Sequence, residues 1–174
     1  ENVAIKMICK SKIEELGLHE RVRNEIRIHS KLHHHHIVQY KTHFETTSHV
    51  YIVMESCSHG NLYRYFKKQG RLSESDAAYI VSQLLKALEY LHSIGIVHRD
   101  LKLSNIILNQ NLEVKICDFG LAIQLEHPDE EHFTICGTPN YIAPEIASQK
   151  SHGCPADLWS IGCLFYSLVT GIMP

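Results

Sequence analysis

The sequence predicts an α+β fold in two lobes, of which the first is rich in strands and the second is mainly helical. Three observations support this prediction: short strand-like apolar runs before residue 55, a break in the pattern at residues 56–60, and longer helical patterns after it. The chain has 174 residues, 17 Lys plus Arg, 19 Asp plus Glu and 44% hydrophobic residues. These are ordinary globular proportions, so one domain with a sizeable core is expected.

Charge and cysteine usage restrict the classes of partner and location. The formal net charge of −2 provides no general field for nucleic acid or for an anionic membrane, so neither is expected as a partner. The six cysteines lie far apart and form no C-x-x-C pair. This spacing favours a reducing, intracellular setting, and a cytoplasmic location is therefore expected.

The first lobe is predicted to contain three strands and two helices. In chain order these are a strand over residues 3–8, a charged helix, a helix over 20–32, and strands over 37–42 and 50–54. Apolar residues alternate in the first strand, which makes Lys6 project from one face. Glu25 lies beside the apolar stripe of the second helix.

The second lobe begins with a helix whose start is marked by Ser73 and Asp76, at the spacing of a capping box. Its predicted apolar face consists of Ala77, Ile80, Val81, Leu84, Leu85, Leu88 and Leu91. Gly95 is placed to end this helix. The remaining predictions are a hairpin over 106–116, a functional loop over 118–145 that includes Pro128, and a buried core helix over 158–174, too short to span a membrane.

Five polar motifs follow one another in a fixed order. They are Val3-Ala4-Ile5-Lys6, Glu25, His98-Arg99-Asp100-Leu101-Lys102-Leu103-Ser104-Asn105, Asp118-Phe119-Gly120 and Ala143-Pro144-Glu145. Together they resemble the signature set of the protein kinases, over essentially the whole chain. The resemblance implies a bilobal protein-kinase-like fold with an N-lobe over 1–54, a hinge over 55–60 and a C-lobe over 61–174.

The resemblance implies a phosphoryl-transfer site that uses ATP and Mg²⁺. Lys6 is expected to contact the α- and β-phosphates and to form an ion pair with Glu25. Asp100 would accept or orient the proton of the substrate hydroxyl, and Lys102 would neutralise charge on the transferred group. The structural alternatives are a surface lysine and glutamate that never meet, and aspartates that only cap turns.

The resemblance also implies which residues bind the metal ion and which surround the adenine ring. Asn105 and Asp118 would supply oxygen ligands to Mg²⁺, a hard cation. The groups expected around the adenine are Ala4 and Ile107 on its two faces, Met54 as gatekeeper, and the backbone of Glu55 and Cys57. Asn61 stands where many relatives have an acidic residue that holds the ribose.

Lys102 and Thr138 resemble the residues that serine/threonine kinases have at these positions. Protein substrates with Ser or Thr hydroxyls are therefore expected. A phosphate on Thr134 could pair with Arg99 and order the loop, which predicts activation by phosphorylation. His98 and Phe119 are expected to be structural, since in the family they stack with His29 and an N-lobe residue into a spine anchored on Asp157. Asp157 is also a candidate helix cap.

Within the family, the segments 21–26, 136–145 and 151–153 resemble the polo-like kinases. The segments 103–105 and 121–125 and the strand with Tyr51 are most similar to the Sak branch of the polo-like kinases. This resemblance implies a role in centriole duplication or cell-cycle control and a centrosomal or centriolar location. Regulatory partners would bind regions outside this chain.

Compared with a complete kinase domain, the chain begins at the lysine strand and ends before the later helices. We therefore expect a partial N-lobe and a truncated C-lobe, and poor solubility and weak or no activity for this stretch alone. One alternative function is a catalytically inactive, truncated kinase that acts as an interaction module. A further alternative is a metal binder that uses the run His33 to His36. Substrate sequence preference, oligomeric state and the kinase that phosphorylates Thr134 are not encoded in any recognisable pattern.

Overall fold

A computed structural model describes residues 2–127 and 130–174 of the chain. Residue 1, with which the expected N-lobe begins, and Pro128 and Asp129 of the long loop lie outside the described residues. The described chain is an α+β structure with a strand-rich N-terminal part and a helical C-terminal part, so the predicted fold class is confirmed.

The N-terminal part contains strand β1 (Val3–Cys9), helices α1 (Lys10–Glu15) and α2 (His19–His29), and strands β2 (Tyr40–Glu45) and β3 (His49–Glu55). The strands form one antiparallel sheet in the order β1-β3-β2. Lys6 pairs with Ile52, and Ala4 with Met54. A small apolar cluster from α1, α2 and β3 fixes α2 in this part of the molecule, with Ile13, Val22 and Val50 as its buried members.

The C-terminal part begins with α3 (Leu62–Gln69) and α4 (Glu74–Ser93). Ser73 caps α4 as predicted, since its Oγ accepts from the backbone N of Asp76 at 3.1 Å. Short strands follow: β4 (Ile96–Val97), β5 (Ile106–Leu108), β6 (Val114–Ile116) and β7 (Ile123–Gln124). The predicted hairpin is present as the antiparallel pair β5–β6. The chain ends with α5 (Pro144–Ala147) and α6 (Cys154–Thr170).

The main hydrophobic core lies between α4, α6 and the β5–β6 hairpin. Its fully buried members include Leu84, Leu91, Ile116 and Leu164, each with 0% of its surface exposed. The backbone N of Leu72 donates to the carbonyl of Leu168 at 2.8 Å, which joins the start of α4 to the end of α6. This core supports the segments that carry the polar motifs of the C-terminal part.

Three sequence predictions need correction. The strand predicted over 37–42 begins at Tyr40, because Ile37 and Val38 pair with Ile116 of β6 and are buried there. The helix predicted to reach residue 32 ends at His29. Leu85, assigned to the buried face of α4, is 42% exposed, since it stands at the edge of the apolar stripe.

The helix predicted to be a buried core element, α6, is buried on one side only. Leu158, Trp159 and Tyr166 are each between 44% and 51% exposed on its other side. The continuous apolar run hides this difference, because apolar residues occupy both faces of the helix. Among the described residues, no helix has the combined length and apolar character needed to cross a membrane.

Candidate active site

A cavity of about 480 Å³ lies between the two parts of the chain, which is an ordinary size for a small-molecule site. The N-terminal part contributes Ala4, Lys6, Glu25 and Met54, and the C-terminal part contributes Asn61, Asn105, Ile107 and Asp118. Glu55 and Cys57, from the segment that joins the two parts, also line it. The structure thus gathers all the residues expected around the adenine, together with Lys6, Glu25 and both expected metal ligands, in one cleft.

Lys6 is the centre of the charge arrangement in this cleft. Its Nζ lies 2.5 Å from Glu25 Oε1 and 2.8 Å from Asp118 Oδ1. Register places the lysine on the inner face of β1, and α2 packs behind the sheet so that Glu25, only 4% exposed, reaches it. The alternative of a surface lysine and glutamate that never meet is wrong.

The pKa values of this trio follow from burial and from mutual charge. Burial raises the pKa of Glu25 more than the neighbouring Lys6 lowers it. Burial also opposes ionisation of Asp118, but the charge of Lys6 and its hydrogen bond outweigh it and lower the pKa of Asp118. Burial alone would lower the pKa of Lys6, but the two carboxylates raise it. Lys6 and Asp118 are therefore held in their charged forms at neutral pH.

A second polar group is built around Asp100. Its Oδ1 accepts from Thr138 Oγ1 at 2.7 Å, and its Oδ2 accepts from Lys102 Nζ at 2.8 Å. Lys102 Nζ also donates to Thr138 Oγ1 at 2.8 Å, which closes a three-residue ring. Asn105 Nδ2 donates to the backbone carbonyl and to Oδ2 of Asp100, at 2.9 and 3.1 Å. The carboxylate of Asp100 is therefore fixed in one orientation.

Two residues of these motifs have a left-handed backbone. Arg99 has φ 64° and Asp118 has φ 63°, values that non-glycine residues seldom adopt. The buried carboxylate of Asp157 holds the first of these turns, because it accepts from the backbone N atoms of His98 and Arg99, each at 2.9 Å. Such strain persists only where the surroundings fix it, and it is typical of functional sites.

Aromatic rings connect Asp157 to the N-terminal part. His98 and His29 flank Phe119, with ring centroids 5.1 and 4.9 Å away, and Tyr40 lies 5.8 Å from His29. His29 Nε2 is 2.7 Å from the carbonyl of Val38, so this ring is hydrogen-bonded within the apolar stack. Burial lowers the pKa of His29, which keeps the imidazole neutral. The expected stack is present, with Tyr40 as its N-terminal member.

Sequence reasoning missed Lys115, which ties the hinge segment to β6. This lysine is 9% exposed, and its Nζ lies 3.0 Å from Glu55 Oε1 and 2.8 Å from the carbonyl of His35. The sequence feature that could have revealed this residue is a charge inside a short apolar strand, Val114–Ile116. The sequence also did not identify Ser104, Arg64 and Cys117 as residues that line the cavity. Burial raises the pKa of the Cys117 thiol to about 12. Burial likewise raises the pKa of Cys57 to about 11.

The predicted regulatory pair is not joined in this structure. Thr134 is exposed, and no hydrogen bond connects it to Arg99 within the described residues. Arg99 Nε donates instead to the carbonyl of Leu121 at 2.9 Å, while its Nη1 is buried without a protein partner. This guanidinium nitrogen can therefore donate a hydrogen bond to a further acceptor near the loop.

Three of the four consecutive histidines have side chains with different neighbours. His34 stacks on Tyr90 with ring centroids 5.2 Å apart, His35 Nε2 lies 3.3 Å from Glu113 Oε2, and His36 Nδ1 lies 3.1 Å from the carbonyl of Val114. Across residues 2–127 and 130–174, no group of three or more His, Cys, Asp or Glu side chains is arranged to hold a metal ion. The metal-binder reading thus has no supporting geometry in this part of the chain.

Comparison with known proteins agrees with the geometry. The sequence model of the protein kinase domain matches residues 1–174. The serine/threonine-protein kinase PLK4 of Drosophila virilis is 50% identical over 176 aligned residues, which cover 100% of this chain and 22% of that relative. The proteins of the same name from Drosophila grimshawi and Drosophila melanogaster are 51% and 50% identical over all of this chain, which covers 23% of each. The chain therefore spans less than a quarter of the length of these curated relatives.

Proposed function

The chain belongs to the protein kinase family, and on that premise we propose that it carries the catalytic site of a serine/threonine kinase of the polo-like type. The reaction transfers the γ-phosphoryl group of ATP to a protein hydroxyl. The observation that carries the proposal is the position of Lys6 between Glu25 and Asp118, in a cleft that is also lined by Asn105, whose amide donates to Asp100.

Asp100 is proposed to orient the substrate hydroxyl and to receive its proton. Thr138 donates to Oδ1, whereas Lys102 and Asn105 both donate to Oδ2, so the lone pair that stays open on Oδ1 has a fixed direction. Lys102 can hold the transferred group while it remains bonded to Asp100, because an ammonium has three donors. Fixed positions of this kind are what an in-line transfer requires, because positioning and charge supply most of the catalysis.

The residues fit a magnesium ion. Asn105 uses Nδ2 to bond Asp100, which leaves Oδ1 as the atom available to a cation. Asp118 contributes a carboxylate whose lowered pKa keeps it ionised. Amide and carboxylate oxygens are the ligands that Mg²⁺ prefers, and the ion, when bound, neutralises charge on the nucleotide phosphates.

The apolar end of the cleft is proposed to receive the adenine ring. Ala4 from β1, Ile107 from β5 and Met54 from β3 line the cavity, as do Glu55 and Cys57 of the hinge segment. We expect Ala4 and Ile107 to cover the two faces of the ring and the backbone of Glu55 and Cys57 to meet its edge. The Oδ1 of Asn61 accepts from the backbone N of Arg64 at 3.0 Å and so caps α3. We therefore expect Asn61 to contribute only its Nδ2 to ribose recognition.

The proposal is tested by phosphate transfer in the full natural protein, with labelled ATP and mixed peptides that contain Ser, Thr or Tyr as the only acceptor. Wild-type protein should label the Ser and Thr peptides, and Asp100→Asn should lose about 10²–10⁴-fold in kcat because it lacks the proton acceptor. The matched control is Glu89→Gln, an exposed change on α4 that should leave the rate unaltered. Tyr labelling, or an active Asp100→Asn protein, would contradict the assignment.

We also propose activation by phosphorylation of Thr134. A phosphate there adds about −1.5 to −2 charges, and the buried Nη1 of Arg99, which has no hydrogen-bond partner among the described residues, is a suitable donor to it once the loop moves. The expected result is a phosphate on Thr134 in the active protein and a strong loss of activity in Thr134→Ala. Thr46→Ala, at another exposed threonine, serves as the control.

The cellular proposal rests on the relatives alone. Similarity to PLK4 over all 174 residues supports a role in centriole duplication and a cytoplasmic, centrosomal location. Protein partners that regulate the kinase would bind outside the segment described here. Depletion of the protein with unchanged centriole number would contradict this proposal.

A further inference from the structure

Three successive carbonyl groups after the Asp118 motif are each bound by a different side chain. Arg21 Nε donates to Gly120 O at 2.7 Å, Arg99 Nε to Leu121 O at 2.9 Å, and Asn24 Nδ2 to Ala122 O at 2.8 Å. Two of these donors come from α2 and one from the turn before Asp100. Residues 120–122, here called the bridge segment, are therefore held from both parts of the chain.

The two donors on α2 lie within one turn of Glu25. Arg21 is four residues before Glu25 and so on the same side of the helix, whereas Asn24 directly precedes Glu25 and points about 100° away from it. Asn24 is itself oriented, because its Oδ1 accepts from Arg27 Nη2 at 2.7 Å. That bond fixes which end of the amide faces Ala122.

The approach of α2 to the bridge segment is close enough to leave little room for a side chain at Gly120. A Cβ on Gly120 would lie 3.3 Å from both Asp118 Oδ1 and Glu25 Oε2, and 3.5 Å from Arg21 Nε. The absence of a side chain at Gly120 is what lets the carboxylates and the guanidinium meet the backbone at this point.

Glu25 needs such support. It is 4% exposed, and an ionised carboxylate at that depth is costly unless it is held against its cation. Lys6 supplies the charge, but Lys6 is shared with Asp118 and its side chain remains one-third exposed. The bonds from α2 to the bridge segment involve neither Lys6 nor nucleotide, so they can hold the helix in position independently.

We propose that Arg21 and Asn24 are positioning residues, which fasten α2 to the bridge segment and so keep Glu25 aligned with Lys6. The inference rests on the proposed kinase function of the cleft. Through Arg99, the same segment is bonded to the turn that carries Asp100, so the position of α2 is coupled to the catalytic aspartate. Loss of either α2 donor shifts the population toward states in which Lys6 is misaligned.

The test compares Arg21→Met, Asn24→Asp and the control Arg23→Met in the full natural protein. Asn24→Asp keeps the acceptor for Arg27 but replaces the donor to Ala122 with an oxygen. Each of the first two variants should lower kcat/KM for ATP by about tenfold, the effect of one charge-assisted or buried hydrogen bond. Most of the change should appear in KM, because nucleotide binds the aligned state and draws the helix back. Arg23 forms its ion pair with Glu20 on the exposed face of α2, so its variant should match wild type.

A double-mutant cycle separates positioning from general stability. In a Glu25→Gln background, Asn24→Asp should have little further effect on kcat/KM, because the group that it positions is already impaired. Full additivity, or wild-type kinetics for both Arg21→Met and Asn24→Asp, would overturn the inference. Wild-type protein that transfers no phosphate would instead contradict the proposed function, so the two failures are distinguishable.

Discussion

Lys6 holds two carboxylates whose pKa values move in opposite directions, and this difference has a consequence for stability. Burial raises the pKa of Glu25, so ionised Glu25 costs folding free energy that Lys6 only partly offsets. Asp118 is less buried, and Lys6 lowers its pKa in spite of the burial. Asp118 is thus the member of the pair whose ionisation favours the folded state.

Asp118 should therefore contribute to acid sensitivity. Because its folded pKa lies below the usual value of 3.8, its contribution is complete above that pH and is lost as the pH falls through the folded pKa. We expect the unfolding temperature of wild-type protein to fall more than that of Asp118→Asn between about pH 4 and pH 2. Glu89→Gln is the exposed control and should keep the wild-type slope. Parallel curves for wild type and Asp118→Asn would contradict this prediction.

Lys115 gives a second prediction at the scale of single residues. Its replacement by Met removes the cation from a largely buried pair with Glu55 and also frees the carbonyl of His35. We expect a loss of about 2 kcal/mol in the free energy of unfolding, less than for a fully buried pair because Glu55 keeps some solvent. Denaturant titration measures this loss, with the exposed Lys86→Met as the control. A loss equal to that of the control would show that the pair contributes nothing.

The motif residues could be predicted from the sequence, but the residues that hold them in place by hydrogen bonds could not. Lys6 and Asp118 stand in short segments whose order is specific, so their presence in one cleft was predictable from the sequence. Thr138 was singled out for its class, but its bonds to Asp100 and Lys102 span 38 and 36 positions. Such pairings depend on how the loop returns to the core, and no local pattern records that path.

At the scale of elements, α4 shows how far a periodic pattern can be trusted. The sequence assigned Leu84 and Leu85 to the same buried face, but Leu84 is 0% exposed and Leu85 is 42% exposed. Successive residues on a helix point about 100° apart, so two neighbours cannot both occupy the centre of one stripe. The pattern therefore fixes the existence and direction of the helix better than the width of its buried face.

This difference predicts unequal effects for the same substitution on one helix. Leu84→Ala should cost about 2–5 kcal/mol in the free energy of unfolding, because it leaves a cavity in the main core. Leu85→Ala should cost less than about 1 kcal/mol, because much of its side chain is already in water. The two variants control each other, since they share chemistry and helix propensity. Equal losses for the two variants in a denaturant titration would contradict this prediction and support the wider buried face that the sequence predicted.

The pairing of elements also explains why the start of β2 was predicted three residues too early. Ile37 and Val38 have strand-like residues, but they pair with Ile116 of β6 and not with the N-terminal sheet. A short apolar run specifies burial in an extended form and leaves its partner open. The partner here belongs to the other part of the chain, so this pairing helps to join the two parts.

At the scale of the whole molecule, several sets of contacts connect the two parts around the cleft, including the aromatic stack of His29 on Phe119. Four others are the pairing of residues 37–38 with Ile116, the Glu55–Lys115 pair, the Lys6–Asp118 pair, and the bonds from α2 to the bridge segment. The first two lie beside the hinge, and the last two lie across the opening. A ligand that fills the cleft therefore adds to contacts that already span it.

Nucleotide binding should stabilise the whole molecule in a manner that depends on Mg²⁺. A ligand that binds only the folded state adds about 2.7 kcal/mol at a hundred times its Kd. With a non-hydrolysable ATP analogue, we expect a rise in the unfolding temperature of the full natural protein that shrinks when a chelator removes Mg²⁺. Asn105 and Asp118 are the proposed ligands, so Asp118→Asn should show a smaller rise that the chelator no longer changes. Adenosine lacks phosphates and should raise the unfolding temperature equally with and without Mg²⁺ in both proteins. A chelator-sensitive rise that persists undiminished in Asp118→Asn would remove Asp118 from the metal site, while no rise with any nucleotide would contradict the cleft itself.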